Sequence, residues 1–190
     1  MSTKGILIAG VGGQGILRAS DILSRVVMAA GFDVKKSEVH GMAQRGGCVT
    51  SHVRYGENVC SPLAKKHDVD VLVSFEKMET LRYLEYLRDN GNIIINTEEI
   101  YPPAVNLGDA IYPTDIIEKV KQLFEKVKVV DATALALQAG NIRTVNTVLL
   151  GTLSTCLTFA NETWEKVLKE SFPPKLLDAN MEAFRVGRNV

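Results

Sequence analysis

The chain has 190 residues, of which 46% are hydrophobic and 23% are charged, as is usual for a soluble globular protein. Lysine and arginine number 22, and aspartate and glutamate also number 22, which argues against nucleic acid as the main partner because phosphate binding needs a cationic face. No apolar run reaches the roughly 20 residues that cross a bilayer, and the start lacks a signal peptide pattern, so we expect a cytoplasmic protein without a membrane partner.

The first part of the chain predicts a strand, a glycine turn, a helix and a second strand. The apolar run over residues 5–9 predicts a buried strand, and helical spacing predicts a helix from residue 13 to residue 30 that ends at Gly31. Residues 32–39 predict the next strand. Together these elements form a βαβ unit, which is the crossover that a parallel strand pair requires.

A loop and a second β segment follow. Residues 40–47 form a glycine-containing loop, and alternation over residues 48–55 predicts a strand with one exposed face. Residues 56–58 predict a turn, after which residues 59–62 are expected to pair back as a short hairpin arm. This hairpin would make the sheet mixed.

Strands and helices also alternate through the rest of the chain. A strand is predicted over residues 69–75, a helix from there to about residue 87, and a short strand over residues 92–96. The remaining predicted elements are a strand over 109–112, a helix over 115–125, a strand over 127–130 and helices over 131–139, 143–159, 162–169 and 174–186. The alternation favours a three-layer α/β/α, Rossmann-like fold with a largely parallel, mixed sheet, in a single domain over residues 1–190.

The turn after the first strand fits the pattern G-x-G-x-x-G. Its glycines are Gly10, Gly12, Gly13 and Gly15. Such a turn at a helix start can bind a phosphate or a dinucleotide. The acidic partner of that fingerprint is unconvincing, because Asp33 comes too early in its strand and Glu38 lies two residues from the next glycine loop. Structural or subunit-contact use is therefore favoured, and Ile16-Leu17 in place of Lys-Ser/Thr excludes a Walker loop.

The second glycine loop is the most unusual stretch of the sequence. Its candidate binding residues are His40, Gln44, Arg45, Gly46 and Gly47. Ligands of open α/β sheets bind beyond the carboxyl ends of strands, where this loop is predicted. Arg45 could hold a carboxylate or phosphate through two parallel hydrogen bonds, with help from the glycine amides. The equally weighted alternative is a connecting loop in which Arg45 pairs with a carboxylate such as Glu38 or Asp21.

Other polar residues give weaker signals. Structural or solvated roles are favoured for His52 and His67, and Cys48 is expected to pack in the sheet rather than to react. Arg143 and Asn146 could face a partner, although a capped helix with one buried amide is the simpler interpretation. The cysteines, Cys48, Cys60 and Cys156, show no CxxC or related spacing, so we expect free thiols and no zinc or iron–sulfur site held by this chain alone.

Three segments together resemble the gamma-type subunit of 2-oxoacid:ferredoxin oxidoreductases. They cover residues 8–16, 38–47 and 141–147. The second segment, EVHGMAQRGG, is most similar to the beta subunit of the indolepyruvate branch of this family, whereas the pyruvate and 2-oxoglutarate branches tend to differ before Arg-Gly-Gly. The resemblance extends over nearly the whole chain, and the order and spacing of the segments make it specific.

The resemblance implies a subunit of a complex that oxidatively decarboxylates a 2-oxoacid, transfers the acyl group to coenzyme A and passes electrons to ferredoxin. The chain lacks both cluster-spaced cysteines and the Gly-Asp-Gly segment of thiamine-diphosphate domains. Thiamine diphosphate, Mg²⁺ and iron–sulfur clusters are therefore expected on partner subunits, with no cofactor bound by this chain alone and coenzyme A as co-substrate. The two glycine loops are expected at the partner contact or the coenzyme A path, and no catalytic residue is assigned.

Two alternatives stay open at this point. The chain could be a stand-alone Rossmann-like protein that binds NAD or FAD, or it could be a purely structural adaptor. An isolated subunit can also self-associate through an apolar surface meant for its partner, so a homo-oligomer is a further expectation.

Overall fold

The computed structural model describes residues 3–41 and 47–190. The sequence-predicted candidates Gln44, Arg45 and Gly46 lie outside these residues. No helix in the described part of the chain is both long and apolar enough to cross a membrane.

Within the described residues, six strands form one mixed sheet in the order β2-β3-β1-β4-β5-β6. Their bounds are β1 Lys4–Val11, β2 Asp33–His40, β3 Cys48–Gly56, β4 Val69–Ser74, β5 Leu87–Asn96 and β6 Val127–Val130. The pairs β1–β4, β4–β5 and β5–β6 are parallel, whereas β3 is antiparallel to both β1 and β2. All described strands except β3 therefore run in one direction, which confirms the predicted largely parallel, mixed sheet.

Helices cover both faces of the sheet. They are α1 Ile16–Ala29, α2 Lys77–Tyr83, α3 Pro103–Asn106, α4 Ile116–Leu123, α5 Ala132–Gln138, α6 Val145–Ser154, α7 Asn161–Ser171 and α8 Pro174–Arg188. One core contains buried residues of α1, α5, α6, α7 and α8, including Leu23, Leu149 and Trp164. The other core contains Ile116 and Val120 of α4 and contacts side chains of α2. This arrangement confirms the three-layer α/β/α fold.

The first two strands run in the same direction, as predicted, but the prediction that they pair directly is wrong. β3 lies between β1 and β2, so that Val53 pairs with Ile6 on one side and with Lys36 on the other. The hairpin arm is therefore β2 and not residues 59–62, which form no strand. The predicted exposed face of β3 is also wrong: Thr50, Ser51 and His52 are all buried. His52 is covered because it contacts Ala64 N and the Tyr86 ring, which come from later segments of the chain.

Three further boundaries differ from the sequence predictions. α2 ends at Tyr83, and β5 already begins at Leu87, with a register irregularity on its partner strand between Val69 and Val71. Residues 109–112 form no strand. α6 ends at Ser154 and not near residue 159, because Ser154 Oγ and Thr155 Oγ1 donate hydrogen bonds to carbonyl oxygens of the last helical turn.

Candidate functional site

The first glycine turn joins the end of β1 to the start of α1. Gly13 has φ 102° and Gly15 has φ 83°, a left-handed conformation that side chains disfavour. A Cβ on Gly15 would also lie 2.9 Å from Asn146 Nδ2. Since α1 begins with no side-chain cap, the backbone N–H groups of its first turn are available to a bound anion.

Gln14 fixes this turn to the neighbouring strand end. Its Oε1 accepts a hydrogen bond from Val11 N at 2.7 Å, and its Nε2 donates to Phe75 O at 2.9 Å. Asn96 Nδ2 donates to the same Phe75 oxygen at 2.9 Å, while Asn96 Oδ1 accepts from Ala132 N at 3.1 Å. These hydrogen bonds connect the carboxyl ends of β1, β4 and β5 to one another and to the start of α5.

The two glycine loops meet at one point. Gly12 N donates to Gly47 O at 2.9 Å, and Gly41 N donates to Cys48 O at 2.7 Å across the base of the second loop. His40 is exposed at the end of β2. The structure therefore brings Gly12 and Gly47 together, as expected if both loops serve one site.

A cleft of about 490 Å³ opens beside the first glycine turn. It is lined by Gly12, Gly13, Gln14, Gly15, Glu98, Ile100, Thr133, Ile142, Arg143, Val145 and Asn146. The sequence motifs over residues 8–16 and 141–147 thus face each other across it. Gly10 does not line the cleft, because it is buried in β1, where a Cβ would lie 2.6 Å from Gln14 Oε1.

The sheet order disfavours dinucleotide binding at this turn. In the dinucleotide fold, the acidic residue that binds the ribose lies at the end of the strand next to β1. Here β3 occupies that position, and Glu38 on β2 forms an ion pair with Lys36 at 2.7 Å. The chain therefore lacks the fingerprint's ribose contact from β2.

Cys48 belongs to a half-buried hydrogen-bonded cluster that the sequence did not indicate. Its Sγ donates to Glu79 Oε2 at 3.0 Å and lies 2.9 Å from Tyr83 Oη, while Arg82 Nε contacts Glu79 Oε1 at 3.0 Å. Burial, together with the hydrogen bond to Glu79, raises the pKa of the Cys48 thiol to about 11. Burial also raises the pKa of the Glu79 carboxyl. The thiol stays protonated near neutral pH and anchors β3 to α2 rather than acting as a nucleophile.

Glu76 anchors the connection that follows β5. Its side chain is 1% exposed and accepts hydrogen bonds from Glu79 N at 3.1 Å, Ile100 N at 3.3 Å and the Tyr112 hydroxyl. Ile100 lines the glycine-turn cleft, so this carboxylate holds one wall of the cleft in place. Sequence reasoning missed Glu76, because its partners lie far along the chain.

Both remaining histidines have structural contacts. His52 is buried, and its Nδ1 accepts from Ala64 N at 3.4 Å; burial, with the nearby Arg54 charge, lowers the pKa of His52. His67 has φ 59°, and its backbone N donates to Glu85 O at 3.0 Å. Within residues 3–41 and 47–190, no group of three or more His, Cys, Asp or Glu side chains could hold a metal ion.

Comparison with known proteins places the fold among subunits and domains of 2-oxoacid oxidoreductases. The indolepyruvate oxidoreductase subunit IorB of Thermococcus kodakarensis is 42% identical, over 98% of this chain and 95% of the relative. The pyruvate oxidoreductase subunit PORC of Thermotoga maritima has a TM-score of 0.73 at 26% identity, covering 100% of this chain and 97% of that chain.

A second solved structure belongs to a chain that is much longer than this one. The 2-oxoglutarate:ferredoxin oxidoreductase of Magnetococcus marinus, solved with 2-oxoglutarate, coenzyme A and succinyl-CoA, has a TM-score of 0.73 at 22% identity and matches 100% of this chain but 31% of its own. The family model described as pyruvate ferredoxin/flavodoxin oxidoreductase matches residues 5–190. These matches confirm the resemblance predicted from the three sequence segments. The chain belongs to the pyruvate ferredoxin/flavodoxin oxidoreductase family.

Proposed function

We propose that this chain is the small, non-redox-active subunit of a 2-oxoacid:ferredoxin oxidoreductase of the indolepyruvate type. One observation carries the proposal: the chain matches an IorB subunit at 42% identity over nearly its whole length. The complex as a whole is an oxidoreductase, and this subunit is expected to be inactive alone. We further propose that residues 1–190 form one domain of this type and that the complex is cytoplasmic.

The reactive groups of the complex are assigned to its other subunits. The reaction would oxidatively decarboxylate indolepyruvate or another aryl 2-oxoacid, form an acyl-CoA and reduce ferredoxin. Thiamine diphosphate and Mg²⁺ supply the decarboxylation chemistry, and iron–sulfur clusters carry the electrons. The donor set of this chain does not fit such groups, since its three cysteines lack cluster spacing and its described residues form no metal-binding group.

The glycine-turn cleft is proposed as a contact for coenzyme A or for the catalytic partner. Its chemistry suits an anionic group, because the uncapped start of α1 and the exposed Arg143 both line or border it. Glu98 also lines the cleft, and its carboxylate would disfavour an anion in its immediate neighbourhood. Arg45, from the sequence alone, is the candidate for a second anionic contact.

Kinetics of the reconstituted complex distinguish these two roles. Arg143→Ala removes a charged contact, so a coenzyme A role predicts a rise of about tenfold in the KM for coenzyme A with kcat little changed. Gly12→Ala adds a methyl group to the glycine turn that lines the cleft and should act in the same direction. The fold tolerates this methyl group, since a Cβ there meets Gly47 O at an ordinary 3.6 Å. The matched control is Arg185→Ala, on α8, where Arg185 pairs with Glu182.

The outcomes separate as follows. A higher KM with normal assembly supports the coenzyme A contact, and Arg45→Ala should then add to the effect. Impaired assembly with an unchanged KM in the residual complex supports the partner contact. Wild-type assembly and kinetics for both cleft variants would contradict a role of the cleft in either.

A further inference from the structure

β2 is a long, regular edge strand. Asp33–His40 pairs with β3 at every position from Asp33↔Gly56 to His40↔Val49, without a bulge. Among the described residues, β3 is the only strand that pairs with it. The strand contains no proline, whereas the opposite edge, β6, is only four residues long. The outer side of β2 therefore offers a row of backbone donors and acceptors to a further strand.

Of the features that normally block such an edge, β2 has charged side chains but neither a proline nor a bulge. Two lysines lie at its centre, but each is neutralised within the chain: Lys35 pairs with Asp33 at 3.0 Å, and Lys36 pairs with Glu38 at 2.7 Å. Lys36 also pairs with Asp21 of α1. The strand thus has no excess charge, and Val39 is 53% exposed on it. A long edge strand without a bulge and without net charge leaves its backbone groups open to pairing with another strand.

In the register that pairs residues 34–40, the sequence of β2 is complementary to itself. Opposed residues of an antiparallel pair point to the same face, so two copies related by a two-fold axis must be centred on a residue that faces itself. Centring on Lys36 or on Glu38 opposes like charges, which is destabilising. Centring on Ser37 instead places Lys36 opposite the partner's Glu38, twice by symmetry.

We propose that this protein forms a two-fold dimer in which the β2 strands of two copies pair antiparallel around Ser37. The two sheets then join into one continuous sheet, with reciprocal Lys36–Glu38 ion pairs on the face covered by α1. The inference goes beyond the proposed function and does not rest on it, since the dimer is a property of the isolated chain.

A site-directed disulfide tests the register. In a Cys60→Ser background, Ser37→Cys should form a covalent dimer under mild oxidation, because opposed Cα atoms lie about 4.5–5.5 Å apart, within disulfide range. The matched control is Val39→Cys, which lies on the same face and is more exposed, but whose symmetry mate would be about 13 Å away. Equal cross-linking of both variants, or none with Ser37→Cys, would overturn the proposal.

Charge reversal tests the same interface without a covalent bond. Sedimentation velocity of the wild type should show a dimer of two 20.8 kDa chains. Lys36→Glu and Glu38→Lys should each weaken dimerisation about tenfold, and the double variant should restore it, because only the single variants oppose like charges. Asp21→Asn removes the intrachain partner of Lys36 and should leave dimerisation unchanged. A wild type that stays monomeric at every attainable concentration would contradict the proposal, as would single variants that dimerise like the wild type while folded by circular dichroism.

Discussion

Gln14 shows how a side chain without reactive chemistry shapes the candidate site. It satisfies the amide of Val11 and the carbonyl of Phe75, which belong to neighbouring strand ends. The sequence placed Gln14 in the glycine turn but gave no sign of these partners, because Phe75 lies 61 residues away. The same limit applies to Cys48 and Glu79: their residue types are visible in the sequence, but their contact depends on how β3 and α2 pack.

Replacing Gln14 tests this positioning role. Gln14→Ala leaves Val11 N without its acceptor, so we expect a loss of about 1–3 kcal/mol in the free energy of unfolding. Urea denaturation of the isolated chain measures it. Gln122→Ala on α4, where Gln122 is exposed, is the matched control and should change stability by less than about 0.5 kcal/mol. Equal losses for the two variants would show that the Gln14 hydrogen bonds contribute nothing.

His52 predicts a pH dependence of stability. Burial lowers its pKa below the ordinary 6.5, so the unfolded chain binds a proton more readily than the folded one. This stability is fully present above pH 6.5 and is lost as the pH falls through the lowered folded-state pKa. His52→Asn should therefore flatten the acid side of the stability curve. A wild-type slope on the acid side in His52→Asn would disprove the assignment.

At the scale of elements, the sequence predicted which segments form strands and helices, but it did not predict the order of the strands in the sheet. The hydrophobic patterns predicted β1, β2, β4 and β6 close to their observed bounds. The pairing of β3 with both β1 and β2 depends on a hairpin return that periodicity does not encode. For the same reason the alternation in β3 suggested an exposed face, although residues of both faces are buried.

Gly151 and Gly187, which belong to no sequence motif, allow α6 to pack closely against α8. A Cβ on Gly151 would collide with the Phe184 carbonyl oxygen, and a Cβ on Gly187 would collide with that of Val148. Thr152 Oγ1 also donates to Gly187 O at 2.8 Å, which requires the same close approach. The sequence predicted both helices but could not show that their backbones touch.

Gly151→Ala should consequently destabilise the fold. Because the colliding atoms are backbone, the helices must separate, and we expect a loss of about 3 kcal/mol in the free energy of unfolding, at the upper end of the usual cost of overpacking. Gly12→Ala, whose Cβ would meet its nearest neighbour at 3.6 Å, is the control and should cost far less. Thermal denaturation compares the two. A wild-type melting temperature for Gly151→Ala would contradict the observed helix contact.

For the whole molecule, sequence and structure agree on the three-layer α/β/α architecture. The first and third sequence motifs line one cleft, and Gly47 at the end of the second motif is hydrogen bonded to that cleft's glycine turn. Cysteine spacing predicted that iron–sulfur clusters lie on partner subunits, which stays a prediction. The sequence could not indicate which surfaces meet other chains, since contact surfaces depend on tertiary structure. The proposed function of this fold is therefore one that is expressed only in a complex.

Ferredoxin reduction that depends on both indolepyruvate and coenzyme A tests this central claim most directly. It should be measured for this chain alone, for the subunit carrying thiamine diphosphate and iron–sulfur clusters alone, and for their mixture. We predict no turnover by this chain and activity of the mixture well above the sum of the two. Turnover by the isolated chain, or a catalytic subunit that reaches the full rate without it, would contradict the account.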